Sequence, residues 1–138
     1  MTSPAMIPAT RINHVTGMIV TAAMKVHSKL GPGLLESAYE ACLAHELRKQ
    51  GLRAAKQIVL PVVYDGETID VGYRMDLLVE DLVVVELECV ERLHPVHEAQ
   101  LLSYIRLSGK NVGLLINFHV AHLRNGIKRM VDGKDWET

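Results

Sequence analysis

One segment, residues 82–90, limits the folds that this chain of 138 residues can adopt. It is apolar almost throughout, and only Glu86 and Glu88 interrupt it. Near-continuous apolar runs of this length are typical of strands that other elements cover on both faces. We therefore predict that residues 82–90 form a central strand of a sheet that lies between layers of helices.

The first part of the chain predicts two helices. Apolar residues recur at helical spacing over residues 11–30. A second helix should begin at Pro32 or Gly33 and end at Gln50, with Gly51 as its left-handed cap. The inward face of this second helix would consist of Leu35, Tyr39, Leu43 and Leu47.

After the second helix the pattern changes to alternating, β-branched residues. Residues 57–64 and 68–79 predict a hairpin closed by Asp65-Gly66, and Pro61 makes its first strand a candidate for a sheet edge. The remaining elements are a helix over residues 95–109, a buried strand over 112–118 and a short strand or turn over 123–131. The fold class is therefore α/β: a single domain with a mixed sheet flanked by helices, in the order ααβββαββ.

The ends and the charge balance set further expectations. Residues 1–10 carry two prolines and no periodicity, so we expect a flexible N-terminal arm before a domain over residues 11–138. Lys and Arg number 15 against 16 Asp and Glu, so a nucleic-acid partner would need a local basic patch. No charged leader and no apolar run of about 18 residues is present. We expect a cytoplasmic protein with no membrane partner and no small-molecule cofactor.

Three acidic residues follow the pattern Asp76-x9-Glu86-x-Glu88 across two neighbouring strands. Side chains alternate along a strand, so Asp76 and Glu86 share a face only if the connection between the strands allows it. A two-residue turn would place Asp76 opposite Val85. A three-residue connection over residues 80–82, or an equivalent bulge, would place it opposite Glu86, and we expect this arrangement. The other pairs that it predicts are Val79 with Val83 and Arg74 with Glu88.

Paired carboxylates in a half-buried sheet repel each other, so either one binds a proton or a cation lies between them. Their hard oxygen ligands suit magnesium or manganese, which can polarise a phosphoryl oxygen and supply a metal-bound water. The alternative is that they are ordinary carboxylates with Arg74, Arg92 and Lys56 as partners. On spacing alone this alternative is favoured, because a D-x9-E pattern is a weak signal.

Four segments favour the metal site over ordinary paired carboxylates: GLLESAY at residues 33–39, GYRMDLLV at 72–79, PVHEAQLLSY at 95–104 and GLLINF at 113–118. Together they closely resemble the GxxExxY protein family, which belongs to the PD-(D/E)xK nuclease-like superfamily. The resemblance extends over residues 11–131. It implies a PD-(D/E)xK nuclease-like fold, a dependence on Mg or Mn, and nucleic acid as the substrate.

The resemblance also implies roles for individual residues. Glu36 would be the helix glutamate that approaches the metal, with Asp76, Glu86 and the main-chain carbonyl of Leu87 as the other ligands. Gln100 and Tyr104 are similar to the glutamine-tyrosine helix motif that exonucleases of this superfamily place beside the site. The two residues are one helical turn apart and share a face. From the residues alone, Gln100 is instead a solvated residue and Tyr104 a core aromatic.

Glu88 stands where the family pattern carries a lysine, which orients or activates the attacking water and offsets developing negative charge. A glutamate disfavours the binding of a negatively charged phosphodiester, and it cannot replace the ammonium group in stabilising the transition state. Lys56, Arg74 and Arg92 are candidates for a relocated cation. Two interpretations stay open for this catalytic position: a metal-dependent nucleic-acid hydrolase, or a catalytically impaired relic of one, a pseudoenzyme.

Self-assembly into a symmetric homo-oligomer, as a structural protein without catalysis, is the alternative function. A hydrophobic fraction of 49% and an apolar first helix favour it.

Two histidine pairs, His94 with His97 and His119 with His122, have the three-residue spacing of metal ligands. Because neither pair has a further ligand at suitable spacing, solvated or hydrogen-bonding histidines are the preferred interpretation.

Overall fold

The computed structural model describes residues 8–133. Its helices are α1 (Ala9–Leu30), α2 (Glu36–Lys49) and α3 (Pro95–Ser108), with a short 3-10 helix at Leu123–Gly126. Its strands are β1 (Ala54–Val59), β2 (Val62–Tyr64), β3 (Glu67–Ile69), β4 (Arg74–Val79), β5 (Val83–Glu88), β6 (Val112–Asn117) and β7 (Ile127–Val131). Five strands form a sheet in the order β1-β4-β5-β6-β7, in which β5 and β6 are parallel and the other neighbours antiparallel. The predicted α/β class with a mixed sheet and flanking helices is confirmed.

Strand β5 is the middle strand of this sheet, and helices cover both of its faces. Val83, Val85 and Leu87 are buried against α1 and α2, whereas Val84 is buried against α3. The near-continuous apolar run is therefore explained by packing on both sides, as predicted. Only Glu86 and Glu88 disturb it, at the end of the strand.

The connection between β4 and β5 has the three-residue form that the sequence predicts. Val79 pairs with Val83, and two further pairs continue the register as far as Leu77 and Val85. Glu80 and Asp81 turn the chain with left-handed backbone angles, φ 54° and 55°. This register brings Asp76 next to Glu86, immediately beyond the last paired residues.

The predicted first hairpin is divided into two parts. The strand predicted over residues 57–64 is interrupted at Pro61, which has no N–H group for a sheet hydrogen bond. Strand β1 pairs with β4 and is the edge of the large sheet, whereas β2 pairs only with β3. Asp65-Gly66 closes β2 and β3 with left-handed angles at both residues, as expected for a tight hairpin turn. The order therefore has two more strands than predicted.

Helix α1 begins at Ala9, two residues before its predicted start. Residues 1–7 of the predicted arm lie outside the described residues. Helix α2 begins at Glu36 and not at Pro32 or Gly33, because Gly31 and Gly33 have left-handed angles that end one helix and delay the next.

The predicted inner face of α2 is correct except at its first position. Tyr39, Leu43 and Leu47 are fully buried, but Leu35 precedes the helix and is 77% exposed. Gly51 has the predicted left-handed angle, φ 82°.

Among the described residues, none of the helices combines the length and apolar character that crossing a membrane requires.

Candidate functional site

The segment Gly33-x-x-Glu36-x-x-Tyr39 has a local structural explanation. Tyr39 is fully buried, and its ring stacks on Phe118 with 4.4 Å between centroids. Its hydroxyl donates to the Gly31 carbonyl and accepts from the Leu34 N–H group at 3.2 Å. These bonds fasten the loop that precedes α2. As a result, Glu36 is held as the first residue of the helix.

Asp76 and Glu86 meet where the paired part of β4 and β5 ends. The Asp76 N–H group donates to the Glu86 carboxylate at 2.7 Å, and the Leu87 N–H group donates to the Asp76 carboxylate at 2.8 Å. Carboxylate oxygens thus accept from main-chain N–H groups between the two strands. The predicted neighbourhood of Asp76 and Glu86 is confirmed by these contacts.

The regular alternation of β4 breaks at Asp76. Met75 belongs to the core beneath α3, but Leu77 belongs to the core beneath α1 and α2. The facing residue on β1 is Gln57, which has a left-handed φ of 53°. The distortion lets the Gln57 amide donate to Asp76 at 3.3 Å and to Glu40 at 2.9 Å.

Gln57 and Glu40 are not among the site residues that the sequence predicts. Glu40 follows Glu36 by four residues, so both side chains lie on one face of α2. That spacing was a usable signal. Gln57 carried no such signal, because its position depends on a local distortion of β1 that an ordinary residue type does not reveal.

Five carboxylates lie near enough to affect one another's ionisation, and they define the acidic cluster. Its members are Glu36 and Glu40 from α2, Asp76 from β4, and Glu86 and Glu88 from β5. Burial raises the pKa of Glu86 to about 8, with the charge of Asp76 adding to the effect. Burial, followed by the charge of Glu36, raises the pKa of Glu88 to about 7. Burial also raises the pKa values of Glu36, Glu40 and Asp76, so every member resists ionisation.

The cations expected as ordinary partners are not paired with the core of this cluster. Within residues 8–133 no ion pair joins Arg74, Arg92 or Lys56 to Asp76, Glu86 or Glu88. The predicted pair of Arg74 with Glu88 does not form, because the pairing of β4 with β5 ends before it and Arg74 lies opposite Val59 on β1.

The polar side chains beside Glu88 are instead Glu36, which shares a hydrogen bond with it, and a histidine. Nε2 of His97 lies 4.0 Å from a Glu88 carboxylate oxygen, and both side chains are mostly buried. Lys56 acts on the outer end of the cluster, where its charge opposes the rise in the pKa of Glu40. The cluster therefore contains more negative charge than its described neighbours balance.

Gln100 and Tyr104 share one face of α3, as predicted. The Gln100 amide donates to the Tyr104 hydroxyl at 2.8 Å. Tyr104 is buried, its ring lies 5.9 Å from that of Tyr73, and its pKa is raised by burial and by the charge of Glu86. Both residues thus border the acidic cluster, while their part in catalysis stays a prediction.

The chemistry of the acidic cluster suits a hard divalent cation. Its donors are carboxylate oxygens, and a bound double charge would offset the burial and the repulsion that raise their pKa values. The ligand geometry is not assembled: among the described residues, no three His, Cys, Asp or Glu side chains converge closely enough to hold an ion. Glu36, Asp76, Glu86 and the Leu87 carbonyl therefore fit a metal by donor type, and ligand closure would accompany binding.

A mixed sheet with acidic residues at the ends of two central strands, approached by glutamates from a helix, defines a nuclease-like α/β protein. The model of the PD-(D/E)XK nuclease superfamily matches residues 13–130, and this chain belongs to that superfamily. Its nucleases typically use divalent metal ions. Neither the curated proteins nor the solved structures contain a match to the chain. Membership of the GxxExxY family within the superfamily stays a prediction.

Proposed function

We propose that this protein is a divalent-metal-dependent nucleic-acid hydrolase whose catalysis is impaired by Glu88. The observation that carries the proposal is the acidic cluster. Its buried carboxylates have raised pKa values, and no described lysine or arginine pairs with Asp76, Glu86 or Glu88. Such an arrangement is stabilised by a bound cation and is costly without one.

In this proposal Glu36, Asp76, Glu86 and the carbonyl of Leu87 hold Mg or Mn. The bound ion supplies polarisation of a phosphoryl oxygen. The chain itself orients the ligands: the Leu87 N–H group and the Gln57 amide fix the two oxygens of Asp76. Such supporting hydrogen bonds are a usual requirement of metal sites.

Glu88 accounts for the impairment. Its half-buried side chain lies near Glu36 and Asp76, where it adds negative charge to the position that a phosphodiester would approach. An ammonium group there would stabilise charge that develops on the phosphate, whereas a carboxylate opposes it. We therefore expect slow turnover and not a change of fold.

The test is cleavage of single- and double-stranded oligonucleotides with Mg or Mn. We expect slow cleavage by the natural chain, none by Asp76→Ala, and at least about tenfold faster cleavage by Glu88→Lys. Glu67→Lys on the exposed hairpin is the charge-matched control and should leave the rate unchanged. Absence of cleavage by Glu88→Lys, with metal binding intact, would show that residue 88 does not silence the site.

A second function, self-assembly into a symmetric homo-oligomer, is favoured by the β2-β3 hairpin. Val63 and Tyr64 are 64% and 71% exposed, although both are large apolar residues. The hairpin pairs with no strand of the large sheet. Light scattering after size-exclusion chromatography tests this function: an oligomer that Val63→Lys converts to a monomer supports it. A monomeric natural chain removes it.

A further inference from the structure

His97 faces Glu88 with a ring nitrogen, alongside Glu36. It belongs to the first turn of α3, and its Nε2 atom lies 4.0 Å from the carboxylate of Glu88. The two side chains are 16% and 17% exposed, so neither is freely solvated. His97 also lies close enough to Glu36 to oppose the rise in the pKa of that carboxyl group. Thus His97 borders both the helix side and the strand side of the acidic cluster.

The main chain determines which ring nitrogen of His97 carries the proton. The His94 N–H group donates to Nδ1 of His97 at 2.9 Å, so Nδ1 is an acceptor. A neutral imidazole has one donor and one acceptor, which places its proton on Nε2. The neutral ring that accepts this bond therefore presents an N–H group on the Glu88 side.

This donor has room for an acceptor other than Glu88. The distance of 4.0 Å from Nε2 to Glu88 is too long for a hydrogen bond. His97 also lines an open cavity of about 770 Å³, together with Val90, Glu91, Arg92 and His94. A phosphate group could enter from this cavity and accept from Nε2 while it approaches the carboxylates.

We propose that His97 takes the place of the missing lysine, with its Nε2–H group donating a hydrogen bond to a non-bridging oxygen of the scissile phosphate. This inference rests on the proposed hydrolase function. The role involves no proton transfer by the imidazole, which stabilises negative charge on the phosphate through the hydrogen bond that it donates. His97 would then be a catalytic residue. The spacing of His94 and His97 is typical of metal ligands and does not indicate this role.

A double-mutant cycle with Glu88→Lys tests the replacement. In the natural background His97→Ala should slow cleavage about 100-fold, and His97→Gln, which keeps an N–H donor, about tenfold. In the Glu88→Lys background His97→Ala should cost less than about threefold, because the lysine supplies the donor. His14→Ala, on the exposed face of α1, is the histidine control and should change neither rate. An equal loss in both backgrounds would overturn the proposal.

Binding measurements separate this inference from the proposed function. Calorimetry with Mn²⁺ should show affinity within about threefold of the natural chain for His97→Ala, because His97 is not a ligand. If neither the natural chain nor Glu88→Lys cleaves, the hydrolase function fails. Binding of a fluorescent single-stranded oligonucleotide in the presence of Ca²⁺ then tests whether His97 contacts a phosphate group. A fivefold or greater weakening by His97→Ala, and not by His14→Ala, would support the phosphate contact, and unchanged binding would overturn it.

Discussion

Glu86 ionises very differently in the folded and the unfolded chain. Its ordinary pKa of 4.5 rises to about 8 in the fold, because the side chain is buried and lies beside Asp76. Between these two pKa values the folded state binds a proton that the unfolded state has released. The stabilisation is therefore complete below pH 4.5 and is lost as the pH rises through 8.

We predict that the metal-free protein loses about 2 to 5 kcal/mol of its free energy of unfolding between pH 5 and 8.5. Glu86→Gln should reduce this dependence, because the amide cannot ionise, whereas Glu88, with a pKa of about 7, keeps a smaller share of it. Urea denaturation at a series of pH values measures it. Glu67→Gln, which changes an exposed glutamate, should keep the slope of the natural chain. A Glu86→Gln variant that retained the full slope would locate the effect in other residues.

At the residue scale, sequence spacing predicted the acidic strand residues but not their immediate partners. Asp76 and Glu86 follow from the register, which short-range turn geometry sets. Gln57 reaches Asp76 only because β1 is distorted at that residue. The side chain opposite Glu88 comes from α3, which is distant along the chain. Contacts of this kind depend on how the elements pack, and no local pattern records them.

At the scale of elements, the loop before α2 positions Glu36, and Tyr39 fastens that loop. We predict that Tyr39→Phe lowers the free energy of unfolding by about 1 to 2 kcal/mol, because the Gly31 carbonyl and the Leu34 N–H group lose their partner. Metal affinity should fall as well, since Glu36 is no longer held. Denaturation and Mn²⁺ calorimetry measure the two effects. Tyr64→Phe, at an exposed tyrosine, should change neither quantity.

The elements that the sequence predicted best are those whose packing agrees with their local pattern. Strand β5 and helix α3 have the predicted positions, and Gly109 ends α3 with a left-handed angle. The region around Pro61 was predicted as one strand because its residues alternate throughout. Its two parts pair with different strands, β4 and β3. Alternation indicates a strand but carries no information about which partner it selects.

At the scale of the whole molecule, a metal bound at the acidic cluster would stabilise the complete fold. The cluster joins α2, β4 and β5, and the sheet that contains both strands separates the two hydrophobic cores. A ligand that binds only the folded state raises its stability by mass action. The carboxylates must be ionised to bind a cation, so the effect should grow with pH.

We predict that Mg²⁺ at 100 times its dissociation constant adds about 2.7 kcal/mol at pH 8.5, which corresponds to a rise in Tm on the order of 10 °C. At pH 5.5 the same concentration should shift Tm far less, because Glu86 and Glu88, with pKa values of about 8 and about 7, then hold protons. Thermal unfolding followed by circular dichroism measures the shift. Asp76→Asn should abolish it, whereas Glu67→Gln should keep it. If Asp76→Asn retained the full shift, the stabilising ion would bind elsewhere on the protein, and the acidic cluster would need another source of positive charge.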